Sequence, residues 1–266
     1  MKRMITLFAG AALLASTAHA GPDTDVADVK ILPGWTNADG THTAAFQIAL
    51  APGWKTYWRA PGDAGIPPLI RFAPDSNVAD FSLRWPTPDI MDQNGMRAIG
   101  YHDGVVLPLV LSPADPSQPI RLTGHMEIGV CEDICIPVQL EFDAPLPPST
   151  TRDPMIVAAL VDRPLTRDEA GVTSATCTLA AGTDGLTLTA TIGLPAAEDA
   201  AAIVVETGDP GVWVSQADVI RDGTNLTAVA DLVPVTDRPL MIDRSALRFT
   251  VLGRGDAVDI VGCDAP

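Results

Sequence analysis

Cys131 and Cys135 stand with three residues between them in the segment VCEDICIP, 130–137. A pair so spaced can be a structural disulfide, a redox-active disulfide or part of a metal site. A bridge closing so short a loop constrains few unfolded conformations and stabilises little. Such a loop can also carry strain, which makes a bridge easier to reduce. Spacing alone does not separate the structural from the redox reading. Glu132 and Asp133 lie between the sulfurs, and their charge disfavours a thiolate. That argues against a strongly acidic attacking thiol. It suits a disulfide that a partner's thiolate attacks.

The metal reading would add His125 and Met126, since soft sulfur with imidazole suits Cu(I). On a strand these two neighbours point to opposite faces. Met126 then belongs to the core and His125 to the surface, and no metal or other cofactor is expected. No HExxH, GxSxG, P-loop or paired-carboxylate pattern stands in a convincing context, which excludes the common hydrolases.

Two further segments could line the sulfur pair. Gly53–Arg59, GWKTYWR, crowds Trp54, Tyr57 and Trp58 into a chain that is 5% aromatic. Core filling accounts for at least one of these tryptophans, and for Trp35 and Trp85. Tyr57 has a polar tip that suits a wall beside a reactive sulfur. Met91–Met96, MDQNGM, reads as a polar, glycine-containing loop. Most such loops only connect, but Met91 and Met96 have the flexible side chains to shield a sulfur pair. Asp92 is a candidate for proton handling, against the plainer role of a solvated carboxylate.

The elements that must position these residues read as strands. Leu122, Met126, Ile128 and Val130 alternate with polar residues before the pair, and Val138, Leu140 and Phe142 after it. Period two marks half-buried strands. Cys131 therefore ends one strand and Cys135 begins the next, across a short turn at a sheet edge. Ala44–Leu50, Leu69–Phe72, Phe81–Trp85 and Val105–Leu111 are further short strands, with Pro and Gly turns between them. This pattern predicts a β-sandwich over residues 21–146. Residues 147–170 form a linker with a short helix, in which Asp153 is the N-cap and Pro154 the first helical residue. Residues 171–266 repeat the sandwich pattern, with strands that include Leu186–Ile192, Ala202–Glu206, Gly211–Ser215, Leu240–Asp243 and Leu247–Leu252.

The N-terminus carries Lys2 and Arg3, an apolar run from Ile5 to Ala15 and a small-residue site at Ala18-His19-Ala20. Residues 1–20 read as a secretory signal peptide, too short for a spanning helix. No later segment has the length and apolarity of a membrane span. Taking Lys2 and Arg3 from the 17 basic residues leaves 15 against 33 acidic ones, a net charge of −18. Such a surface repels nucleic acid and anionic lipid. An exported chain meets an oxidising compartment, so its four cysteines are expected to pair. Proximity favours Cys131–Cys135 and leaves Cys177 with Cys263, near the first and last strands of the second sandwich. Two buried free thiols are the alternative for those two.

Three segments taken together, GWKTYWRAPGDAGIPP, RWPTPDIMDQNGMRAIGYHDGVVLPL and VCEDICIP, resemble the amino-terminal domain of the DsbD thiol:disulfide interchange family, and within it the copper-linked ScsB type. The likeness spans roughly residues 30–146, and residues 171–266 resemble the further domain of ScsB-type proteins loosely. It implies an all-β chain of two immunoglobulin-like β-sandwich domains joined by the short helical linker. It implies that Cys131 and Cys135 are a redox pair, with Cys135 meeting partners. It places Trp54–Trp58 beside the site and Asp92–Met96 over it. Three departures stand out. The family spaces its cysteines more widely, its aromatic cap residue has no counterpart in MDQNGM, and the sequence to Pro266 carries neither a membrane reductase nor a thioredoxin-like domain. The expected role is that of a periplasmic thiol:disulfide exchange protein. It would pass electrons between separate chains: a thioredoxin-fold protein, a membrane electron-transfer reductase and exported disulfide-bearing proteins. The alternative is a copper-handling or assembly module with structural disulfides. Strand position agrees with the resemblance on the two sulfurs, placing Cys131 against the sheet and Cys135 nearer the rim.

Overall fold

The computed structural model describes residues 26–266 except 64, 94, 196–199 and 237–238. The signal-peptide reading of residues 1–20 lies outside the described residues. The chain is all-β, with one short helix.

The first half holds β1 (Ala27–Thr36), β2 (His42–Leu50), β3 (Lys55–Tyr57), β4 (Leu69–Phe72) and β5 (Val78–Leu83). It continues with β6 (Asp89–Gln93), β7 (Met96–His102), β8 (Gly104–Pro113), β9 (Ile120–Cys131) and β10 (Cys135–Leu146). One sheet runs in the order β1-β2-β8-β5, and the facing sheet β10-β9-β3-β7-β6, with β4 also paired to β9. Ala44, Phe46 and Ile48 from one sheet and Met126, Ile128, Val130, Leu140 and Phe142 from the other close the core between them. Phe142 meets Phe46 edge-on, at 5.0 Å between ring centroids.

The other face of β2 is covered as well. Ala45 packs there with Trp35 and with Ile156 of α1 (Pro154–Val161). The Asp153 carboxylate caps this helix, accepting the N–H groups of Met155 at 2.8 Å and Ile156 at 3.3 Å.

The second half holds β11 (Leu165–Thr166), β12 (Ser174–Ala181), β13 (Leu186–Gly193), β14 (Ala202–Glu206) and β15 (Val212–Val214). It ends with β16 (Asp218–Asp222), β17 (Asn225–Pro234), β18 (Arg248–Leu252) and β19 (Ala257–Val261). Its sheets run β11-β19-β18-β14 and β12-β13-β17-β15, with β16 also on β17. Leu188, Ala190, Ile192 and Leu226 face Phe249, Val251 and Ile260 across the second core. β11 joins this sheet from within the segment read as linker, pairing parallel with β19. Leu240–Asp243, expected as a strand, forms none, and Met241 there is 89% exposed. Ile242 of this run packs against the second core, but no strand among the described residues pairs with the run.

The halves touch through side chains. Trp58, Ile99 and Tyr101 pack against Ala202, Leu252 and Ala257. The Arg59 guanidinium donates to both carboxylate oxygens of Glu206, at 3.1 and 3.0 Å, and stacks 3.8 Å from the Trp58 ring centroid. No helix among the described residues is long and apolar enough to cross a membrane.

Candidate functional site

β9 and β10 pair in unbroken register from Ile120↔Leu146 to Cys131↔Cys135. Glu132, Asp133 and Ile134 make the turn between them. The cysteines are thus directly opposite one another, 4.2 Å apart at Cα, and joined by a disulfide. Cys131 is fully buried, Cys135 is half-buried, and Ile134 in the turn is 74% exposed. The more exposed cysteine is the one on the edge strand.

Alternation decides which face the sulfurs occupy. Ile128 and Val130 enter the sandwich core. Gly129 and Cys131 therefore face the other side of the sheet, where Cys131 clusters with Tyr57, Met91, Ala98 and Cys135. The bridge lies on the outer face of the sheet and has its own small cover.

Tyr57 is the centre of that cover. Its strand, β3, is hydrogen-bonded to β9 on one side and β7 on the other. Thr56 adds a side-chain tie, its hydroxyl donating to the Gly129 carbonyl at 2.9 Å. The Tyr57 hydroxyl sits 2.7 Å from Sγ of Cys131 and 3.1 Å from Sγ of Cys135. Disulfide sulfurs carry no hydrogen, so the hydroxyl is the donor. Burial pushes the Tyr57 phenol up from its ordinary pKa, which keeps it a donor at neutral pH. The ring fits because two neighbours lack side chains. A Cβ on Gly129 would stand 3.0 Å from Cδ2 of Tyr57, and one on Gly65 would stand 2.7 Å from Cδ1.

The segment Met91–Met96, read from sequence as a loop, is the tip of a β-hairpin made by β6 and β7. Gln93 pairs with Met96, and Gly95 between them has a positive φ of 83°, a backbone that favours glycine. The Asn-Gly dipeptide carried this signal. Met91 points in, is 4% exposed and belongs to the sulfur cluster. Met96, paired with Gln93 on the same face of the hairpin, stands at its rim and is 50% exposed. Asp92 is exposed, and its carboxylate accepts the Gly95 N–H at 3.1 Å. It therefore tightens the hairpin turn. Lys55 ties the hairpin down by donating to the Asp92 carbonyl at 3.3 Å. Trp54 packs against the sandwich core rather than the sulfurs.

Sequence reasoning missed Gln93, which shares the inward face with Met91. It is 4% exposed, and its Oε1 has no hydrogen-bond partner among the described residues. A buried amide at a hairpin tip leaves no pattern in sequence. Of the copper candidates, Met126 is fully buried in the core, while His125 lies on the opposite face, 3.7 Å from Glu127. No group of three or more His, Cys, Asp or Glu side chains able to hold a metal occurs among the described residues. At the other end of the molecule Cys177 of β12 is joined to Cys263 by a second disulfide. There the Cys177 N–H also donates to the Asp264 carbonyl at 2.9 Å.

Residues 25–147 match the family described as "Thiol:disulfide interchange protein DsbD, N-terminal". Among solved structures, the chain is similar to the N-terminal periplasmic domain of ScsB from Proteus mirabilis. That likeness has a TM-score of 0.67 and 23% sequence identity, over 92% of this chain and 96% of that one. At that identity it establishes a shared fold, and it extends through both halves. No curated protein sequence matches the chain.

Proposed function

Residues 25–147 belong to the DsbD amino-terminal family, and from that premise we propose that this chain is a periplasmic thiol:disulfide exchange protein working through Cys131 and Cys135. The two sandwiches are taken as two domains, 21–146 and 171–266, with the redox chemistry in the first. The observation that carries the reading is the Tyr57 hydroxyl held against both sulfurs of a bridge between one buried and one half-buried cysteine. A purely structural bridge on a hairpin needs no aimed donor.

The donor has a defined task. A partner thiolate attacks Sγ of Cys135, the half-buried cysteine. A mixed disulfide forms, the Cys131–Cys135 bond breaks, and Cys131 leaves as the thiolate. Charge then develops on a buried sulfur, which is costly unless a donor meets it. Tyr57 is already in place 2.7 Å away, and a hydrogen bond to a charged acceptor is stronger than one to a neutral acceptor. The partner's second thiolate attacks its own bridged sulfur and frees Cys135. The pair is now a dithiol and the partner a disulfide, so two electrons have moved. Run backwards, Cys135 attacks an oxidised client and Cys131 resolves the intermediate. Thioredoxin-fold proteins, a membrane electron-transfer reductase and exported proteins are the partner classes this role requires.

The test uses single variants with a thioredoxin-fold partner that lacks its own resolving cysteine. With Cys131→Ser, a stable mixed disulfide through Cys135 should accumulate. With Cys135→Ser, little should form. Trapping through Cys131 instead would reverse the assignment, and no trapping by either variant would remove the exchange reading.

A further inference from the structure

Between the two halves lies a cavity of ≈ 550 Å³ that the exchange chemistry does not use. That volume is within the usual range of ligand pockets. One wall is the chain after Trp58 together with Arg97 and Ile99, and the other includes all of β14 and β15. β14 is the edge strand of its sheet, and β15 is the edge strand of the facing one.

β14 alternates as a strand must. Ala202 and Val204 pack toward the first half, whereas Ile203 and Val205 enter the second core. Yet every residue of β14 lines the cavity. A cavity touched by successive residues of a strand meets its backbone edge, not one of its faces. The same holds for Val212, Trp213 and Val214 of β15. No strand among the described residues pairs with the open edge of β14. The space is therefore a slot bounded by strand edges, with backbone groups turned toward it. Such an edge is a template for another strand.

The charges in the slot choose among occupants. Arg59 is engaged by Glu206 and by the Trp58 ring. The Asp209 carboxylate accepts the Gly211 N–H. Arg97 and Asp63 are different. The Arg97 carbonyl accepts from Gln216 Nε2 at 3.3 Å, but neither its guanidinium nor the Asp63 carboxylate makes a hydrogen bond or ion pair among the described residues. Trp213, 47% exposed, adds a large apolar surface to the same slot.

We infer that this slot binds an extended peptide segment of a partner protein, added as a strand to the edge of β14, with an acidic side chain at Arg97. The inference goes beyond the exchange reading, because it needs neither cysteine. It gives the second sandwich a role: a segment held there keeps its protein beside the redox face and raises its effective concentration. The two sites share the chain that follows Tyr57. Gly65 of that chain abuts the Tyr57 ring, and Gly62 lies against the Arg97 carbonyl.

The probe is a capped heptapeptide of alternating threonine and valine with one central glutamate, titrated calorimetrically into the full oxidised chain. Saturable binding is expected. N-methylation of alternate peptide amides should weaken it about tenfold or more, since backbone pairing is lost. Arg97→Ala should weaken it about threefold. Cys131→Ser should leave it unchanged, which separates this result from the trapping experiment. Absence of saturable binding at millimolar peptide overturns the proposal. Equal affinity for the N-methylated peptide overturns strand addition, and equal affinity in Arg97→Ala overturns the placement in this slot.

Discussion

The hydroxyl of Tyr57 lies 2.7 Å from Sγ of Cys131 and 3.1 Å from Sγ of Cys135, so one donor serves both atoms of the bridge. The arrangement favours whichever state puts negative charge on sulfur. Tyr57→Phe keeps the ring and removes only the donor. A hydrogen bond to a charged group contributes about 1.5–3 kcal/mol, so reduction of the bridge should slow roughly tenfold or more. Thiol alkylation after timed exposure to dithiothreitol measures the rate. An unchanged rate would leave the hydroxyl with a packing role only.

Gly129 tests the same contact from the other side. A Cβ there would stand 2.8 Å from Cβ of Ile66 and 3.0 Å from the Tyr57 ring. Gly129→Ala must therefore displace the ring from the sulfurs. Overpacking of this kind costs about 1–3 kcal/mol. The variant should lose denaturant stability and also show the slow reduction of Tyr57→Phe. A stability loss with normal reduction kinetics would mean the ring yields without moving its hydroxyl.

The strands that carry the cysteines were legible because they obey period two up to Val130. What was not legible is the face. Cys131 continues the alternation onto the outer side of the sheet, and only the three-dimensional cover of Tyr57 and Met91 makes that side buried. The same limit separates Met91 from Met96. Both lie on one face of the hairpin, yet Met91 sits over the sulfurs and Met96 at the open tip, a difference of depth that the spacing does not carry. Trp54 fell into the opposite core for a related reason. It stands one place before β3, where spacing to Tyr57 does not determine the side. The contact between the halves was invisible, since Arg59 and Glu206 are 147 residues apart.

The Cys177–Cys263 bridge closes a long loop, with a sequence separation of 86. In the chain-entropy account such a loop contributes about 4 kcal/mol. Replacing both cysteines with alanine should lower the denaturation midpoint of the second sandwich accordingly. Trapping through Cys135 should persist, because the redox face lies in the other sandwich. Loss of trapping together with an unchanged midpoint would contradict both assignments.

Arg59 and Glu206 join the halves with side chains only 14% and 22% exposed. Removing one partner leaves the other charge partly buried and unpaired. Arg59→Met should destabilise by about 3 kcal/mol, and adding Glu206→Gln should recover part of the loss. Thermal denaturation of the two single variants and the double variant measures the coupling. Strictly additive losses would show that the pair is screened by solvent.

The chain has two tyrosines, Tyr57 and Tyr101, and burial pushes both phenols above their ordinary pKa. Tyr101 donates to the Pro86 carbonyl at 2.9 Å, beneath the contact between the halves. In the unfolded chain both release their protons near pH ~10. In the folded chain both hold them to higher pH. The stability these groups contribute is therefore fully present below pH ~10 and is lost as pH rises toward the folded pKa values. Between those limits the folded state binds more protons than the unfolded state, and stability must fall with pH. In an alkaline titration, tyrosinate absorbance should stay flat until the far-ultraviolet dichroism is lost, then rise with it. Tyr57→Phe should shallow the pH dependence of stability by removing one of the two protons from the difference. Tyrosinate appearing in the folded protein near pH ~10 would mean that a phenol is open to solvent. If the variant removes that signal, the exposed phenol is Tyr57, and the cover over the sulfurs opens far more readily than its packing implies.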